Sequence, residues 1–276
     1  MKFMEWNIHG MGGYGKYEIP VNMIINTIVD INPDVFVLLE FIECANGFCD
    51  LQNAFSKLHY SMFLTEIKKG ANGVLIAVRD TIIAEKVIEK SEYLEIKIKY
   101  NDNDWMNVVG MRILTQGNYK NFAKRRELFV QRLNHLKEQN NNFIMLFDAN
   151  NGAIQFESNK EFEYQGVRKN YSYQYIWRTV ENQYKWSLIT PDQGGPYSII
   201  DGGKYSAVTG ENKPENYHTK EDHIITSFEK AKFKNVDYYW DFVNKRNGYG
   251  NRTRSDVLSD LIGLPDHAVL VAEFNI

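Results

Sequence analysis

The chain has 276 residues, of which 43% are hydrophobic and 24% charged, a globular composition that excludes a disordered or fibrous protein. Its formal net charge of −3 excludes charge-driven binding over the whole surface but leaves room for a local basic groove. The two cysteines, Cys44 and Cys49, cannot by themselves build a disulfide framework or a four-ligand zinc site.

Residues 2–8 are short and carry aromatics, and they read as a strand. The strand runs into a loop with Gly10, Gly12 and Gly13 that lacks the glycine order of a dinucleotide-binding turn. Val21, Ile24, Ile25, Ile28 and Val29 fall at helical spacing and predict a helix over 21–31, ended by Asn32-Pro33-Asp34. The continuous apolar run 35–39 predicts a strand covered on both faces, and Glu40 follows it directly. A short helix is expected over 50–58, with Asp50 as its N-cap.

Residues 73–78, 82–88, 93–99 and 105–114 read as strands, the last three successive and antiparallel. In 93–99 the alternation places Leu94, Ile96 and Ile98 inside and Glu95, Lys97 and Lys99 in water. An amphipathic helix is predicted over 122–139, with Phe122, Phe129, Leu133 and Leu136 on one side. A second apolar strand, 143–147, ends in Asp148-Ala149-Asn150. A helix is expected within 171–184, a loop over 190–196, and a short strand over 224–226 after Asp222-His223. A final apolar strand follows Pro265-Asp266-His267. No internal repeat is detected. No run reaches the ~18–20 apolar residues of a membrane helix and no secretion signal is visible, so a cytoplasmic protein is the expectation.

Apolar strands are thus bordered by Asn7, by Glu40, by Asp148 and Asn150, by Asp222, and by Asp266 and His267. Singly, each is an ordinary cap or turn former. Together they offer carboxylates, carboxamides and an imidazole, with no cysteine among them. Such a set suits a hard cation such as magnesium or manganese, because crowded carboxylates repel without one. The matching chemistry is phosphoester hydrolysis.

Six stretches, in order along the chain, resemble the endonuclease/exonuclease/phosphatase superfamily. They are Glu5-Trp6-Asn7-Ile8, Pro33-Asp34-Val35-Phe36-Val37-Leu38-Leu39-Glu40, Asn72-Gly73-Val74, Phe147-Asp148-Ala149-Asn150, Asp222-His223-Ile224-Ile225-Thr226-Ser227 and Pro265-Asp266-His267. The resemblance implies a four-layer α/β sandwich, two packed mixed β-sheets flanked by helices, as a single catalytic domain over 1–276. It implies Glu40 as the main metal ligand with Asn7 and Asp266 nearby. It implies Asp148 as the group that orients or deprotonates the attacking water, and Asn150 as a phosphate-contacting or orienting amide. His267 would face the scissile phosphate, oriented by Asp222.

Two positions depart from the family's pattern. His9 stands where many members carry Asp, and Arg112 where many nucleases carry His or Tyr. Both are expected on the substrate side, Arg112 as a bidentate phosphate ligand. The expected cofactor is Mg2+, with Mn2+ as an alternative. The expected substrate is DNA or RNA, drawn in by the basic stretches 120–126 and 244–254. A small or lipid-headgroup phosphoester remains the alternative. A non-catalytic binding module is disfavoured because Glu40, Asp148 and His267 are all present. Neither a membrane nor an obligate protein partner is evident.

Overall fold

The computed structural model describes residues 1–8, 21–41, 47–66, 72–114, 121–150, 174–191, 221–239, 241–244, 265 and 267–276. Its elements follow in chain order. The first half holds β1 (Lys2–Asn7), α1 (Val21–Ile31), β2 (Val35–Phe41), α2 (Gly47–Lys57), β3 (Tyr60–Leu64), β4 (Gly73–Arg79), β5 (Ala84–Lys90), β6 (Tyr93–Lys99) and β7 (Trp105–Arg112). The second half holds α3 (Phe122–Gln139), β8 (Phe143–Asp148), α4 (Gln174–Trp177), β9 (Ser187–Ile189), β10 (Asp222–Thr226), β11 (Phe233–Tyr239), α5 (Asp241–Asn244) and β12 (Val269–Phe274).

These strands form two six-stranded mixed sheets. One has the order β11-β12-β1-β2-β4-β3, the other β5-β6-β7-β8-β10-β9. Each contains one parallel pair at its centre, β1 with β2 and β7 with β8. A parallel pair needs a crossover, supplied in the first sheet by α1 and in the second by α3. All other pairings are antiparallel.

Period-two alternation decides which side chains meet between the sheets. Val37, Leu94, Ile96, Val108, Ile144, Leu146 and Ile224 join the large core that also takes in α1 and α2. Val109, Met111, Phe143, Met145, Phe147 and Ile225 face the other way and pack against Phe129, Leu133 and Leu136 of α3. Phe129 stacks on Phe147 at 5.3 Å. The helix α3 is bounded by two asparagines. The Asn121 side chain accepts the Ala123 N–H, and Asn140 closes the other end in the left-handed conformation, φ 52°, a backbone state that asparagine tolerates.

The sheets pack tightly at Gly110 of β7. A Cβ there would stand 2.6 Å from Val37 Cγ1 and 2.7 Å from Val74 Cγ1, so only glycine fits.

The structure corrects several sequence expectations. The helix 50–58 is α2, which starts at Gly47, so Asp50 lies within its first turn instead of capping it. Glu95 is buried, not wet. Its side chain points beneath α3, where Tyr93 Oη and Asn107 Nδ2 donate to its carboxylate at 2.7 Å each, and His135 Nε2 lies at 3.0 Å. A buried carboxylate is tolerated when its oxygens are bonded in this way. Strands β3, β9 and β11 were not anticipated. The segment within 171–184 contains α4 and a π-helical turn, Arg178–Gln183; residues 171–173 lie outside the described residues, as does 192–196 of the expected loop.

Candidate active site

The C-terminal ends of the two parallel pairs open on one rim, since β1, β2, β7 and β8 deliver Asn7, Glu40, Arg112 and Asp148 there. Strand β10 runs antiparallel to β8 and begins opposite its end, with Asp222 in register with Asp148. The chain before β12, which runs antiparallel to β1, places His267 at the same rim. Seven residues expected from sequence therefore converge: Asn7, Glu40, Arg112, Asp148, Asn150, Asp222 and His267. The other two, His9 and Asp266, lie outside the described residues.

Asp148 ties the sheets together. Asn7 Nδ2 donates to its Oδ2 at 2.9 Å, from the opposite sheet. The Asn150 N–H donates to Oδ1 at 2.9 Å, and Asn150 Nδ2 to Oδ2 at 3.2 Å and to the Ile113 carbonyl at 3.2 Å. Asn150 reaches this double role through a left-handed backbone, φ 42°. Despite these donors, the Asp148 carboxyl is pushed up to about 7. Burial is the main cause. His267 and the Asn150 N–H oppose it, while repulsion from Asp222 and Glu40 adds to it.

His267 Nδ1 lies 3.0 Å from Asp222 Oδ2 and 3.3 Å from Oδ1. Both residues are buried. A carboxylate on Nδ1 places the ring proton there and leaves Nε2 as the acceptor nitrogen. Backbone anchors fix both residues. Trp6 Nε1 donates to the His267 carbonyl at 3.1 Å, and Tyr238 Oη to the Asp222 carbonyl at 2.5 Å. The ligand-capable atoms of Asp148, Asp222 and His267 all lie within 4.8 Å of one another.

Glu40 stands at a bulge. The register of β2 on β4 shifts between Leu39 and Phe41, and Glu40 itself has φ 54°. A bulge adds one residue and re-aims its side chain. A left-handed non-glycine residue costs roughly 1–2 kcal/mol. The re-aimed carboxylate accepts from Arg112 Nη1 at 2.9 Å and from Asn72 Nδ2 at 2.8 Å. Arg112 Nε has no acceptor among the described residues, so the guanidinium keeps donor capacity beyond Glu40.

The donor set is oxygen-rich, holds no sulfur, and gathers more carboxylates than cations. Those properties fit a hard divalent cation, with Glu40 the partly exposed carboxylate on the rim. Asn72 was quoted in the sequence as part of a motif but not as a site residue. Glu5, two residues before Asn7 in β1, likewise stands in a motif without being a predicted site residue. A charged residue between the apolar Met4 and Trp6 of β1 was the available signal.

Of the two basic stretches, residues 121–126, at the start of α3, and Asn244 lie within the described residues. Lys124 is exposed. The Arg125 and Arg126 guanidiniums lie over Phe122 and Tyr175, at 4.7 and 4.1 Å from the ring centroids. This first turn follows the site end of β7 in the chain. Residues 245–254 of the other stretch lie outside the described residues. Among the described residues no helix is long and apolar enough to cross a membrane.

Two mixed sheets of this order, flanked by helices, form the α/β sandwich that the resemblance implied. The sequence matches no protein-family model and no curated protein. Solved structures of this fold do match over the whole chain. A 3'-5' exonuclease from Neisseria meningitidis is 16% identical with TM-score 0.62, both chains covered in full. An AP endonuclease from Archaeoglobus fulgidus is 13% identical with TM-score 0.60, again with full coverage of both. TDP2 from D. rerio, complexed with a single-stranded DNA product, is 12% identical with TM-score 0.56, covering all of this chain and 99% of that one. At these identities the likeness is one of fold.

Proposed function

We propose that this protein is a divalent-cation-dependent phosphodiesterase that cleaves nucleic acid. The observation that carries this reading is the meeting of the His267–Asp222 pair with the Asn7–Asp148–Asn150 cluster at one rim. An exonuclease, an AP endonuclease and a protein holding a DNA product, all of the same fold, favour nucleic acid as the substrate.

Asp148 takes the proton of the attacking water. Its carboxyl, lifted to about 7, is matched to proton transfer near neutrality. Asn7 and Asn150 fix the direction of that carboxylate. His267 faces the phosphate through Nε2, with Asp222 holding the ring. Arg112 offers Nε to a phosphoryl oxygen while Glu40 steadies Nη1. Glu40 would hold the cation, Mg2+ with Mn2+ as alternative, together with Asp266 beside His267 in sequence. The cation would stabilise negative charge on the phosphoryl oxygens. The basic first turn of α3 and the stretch 244–254 would contact the phosphate backbone. Taken together, the chain acts as one catalytic domain over 1–276.

A substrate panel tests this reading: single- and double-stranded DNA, RNA, and inositol phosphates, each with Mg2+ at low and raised salt. Cleavage of a polymer is expected, with affinity falling steeply as salt rises. Turnover of inositol phosphates alone would overturn the nucleic-acid assignment.

A further inference from the structure

Glu40 is held by two donors of different kind. Asn72 Nδ2 donates to its Oε2 at 2.8 Å, and Arg112 Nη1 to its Oε1 at 2.9 Å. The amide is neutral and only orients the carboxylate. The guanidinium adds a full positive charge that it does not give up, because arginine stays protonated in proteins. The pair bridges the two sheets, with Glu40 on β2 and Arg112 on β7. Its side chains are 20% and 14% exposed, so salt and water screen the attraction far less than at an open surface. Arg112 Nε is buried and meets no acceptor, and Glu40 is the only carboxylate paired with Arg112 among the described residues.

A carboxylate has about four lone-pair directions on its two oxygens. Arg112 and Asn72 take one on each oxygen, so a cation still finds room on Glu40. Charge, not space, is what opposes it. A cation held there shares one carboxylate with the guanidinium, and like charges repel more strongly in a poorly hydrated place than in bulk water.

We propose that Arg112 is a resident counter-charge that holds down the affinity of Glu40 for a divalent cation. The residue thereby sets the cation concentration at which the site fills. Asn72 holds the same carboxylate without this effect, because it brings a donor and no charge.

This inference rests on the proposed reading of Glu40 as a cation ligand. The test is Mn2+ binding to the purified full chain without substrate, read from the electron paramagnetic resonance signal of free Mn2+. Arg112→Gln and Arg112→Met remove the charge, the second keeping most of the side-chain volume. Both are expected to bind Mn2+ about tenfold more tightly than the parent, and Arg112→Lys within about threefold of it. Glu40→Gln is expected to abolish the same binding step. Tighter binding is a result that a merely structural arginine would not give, since loosening the site weakens a ligand. Unchanged or weaker binding in both neutral variants, with Glu40→Gln still abolishing it, would overturn the counter-charge role and leave the cation reading standing. Equal tightening in Arg112→Lys would also overturn it, because the effect would then follow shape instead of charge. Binding untouched by Glu40→Gln would remove the cation reading itself, and the counter-charge role with it.

Discussion

Asp148 is where the site's charge balance is most exposed to experiment. Its carboxyl is raised from 3.8 to about 7, first by burial. Between those values the folded protein keeps a proton that the unfolded chain releases. The stability contributed by that proton is full below about pH 4 and is lost as pH rises through about 7. Asp148→Asn removes the titrating group. In chelator, its stability relative to the parent is therefore expected to grow between pH 5 and pH 8, read by urea denaturation at each. A difference independent of pH would refute the raised carboxyl. At this scale Asp148, His267, Asp222, Asn150, Asn7 and Glu40 were all legible as polar residues bordering apolar strands. Glu5 was not, because nothing in local periodicity says that a carboxyl within β1 is buried between the sheets. Asn72 escaped because its partner Glu40 lies 32 residues away at the end of the neighbouring strand of the same sheet. The ion pair of Arg112 with Glu40 was equally out of reach, although each residue had been given a role.

Among the elements, those with strong periodicity were the readable ones. Helices 21–31 and 122–139 and strand 93–99 have the expected bounds, since each presents one apolar face to a neighbouring layer. Strands β3 and β11 lie at sheet edges, where one side needs no partner and alternation weakens. β11 is also interrupted by a register shift between Lys234 and Asp237. The bulge at Glu40 is invisible in sequence because an extra residue changes no composition, only direction. Gly110 shows how closely the layers meet. Gly110→Ala forces a methyl group against Val37 and Val74, and about 1–3 kcal/mol of destabilisation is expected from overpacking. Equilibrium denaturation measures it, and a variant as stable as the parent would mean that the two sheets can separate at that point without cost.

The molecule as a whole repeats one plan twice, with a parallel pair at the centre of each sheet and its crossover helix outside. Facing the two sheets brings both sets of strand ends to a single rim, and the site is the consequence. That convergence could not be read from hydrophobic patterning, which gives strands but not their neighbours. It came from the order of six short stretches along the chain, each weak alone. The central claim is that this rim hydrolyses phosphodiesters through His267 with a bound divalent cation. The most direct test is polymer cleavage by the purified full chain in Mg2+, in chelator, and after His267→Ala. The account predicts cleavage in Mg2+, none in chelator, and a loss of about 10²- to 10⁴-fold in the variant with its melting temperature preserved. Cleavage that persists in chelator, or that His267→Ala leaves intact, would contradict it.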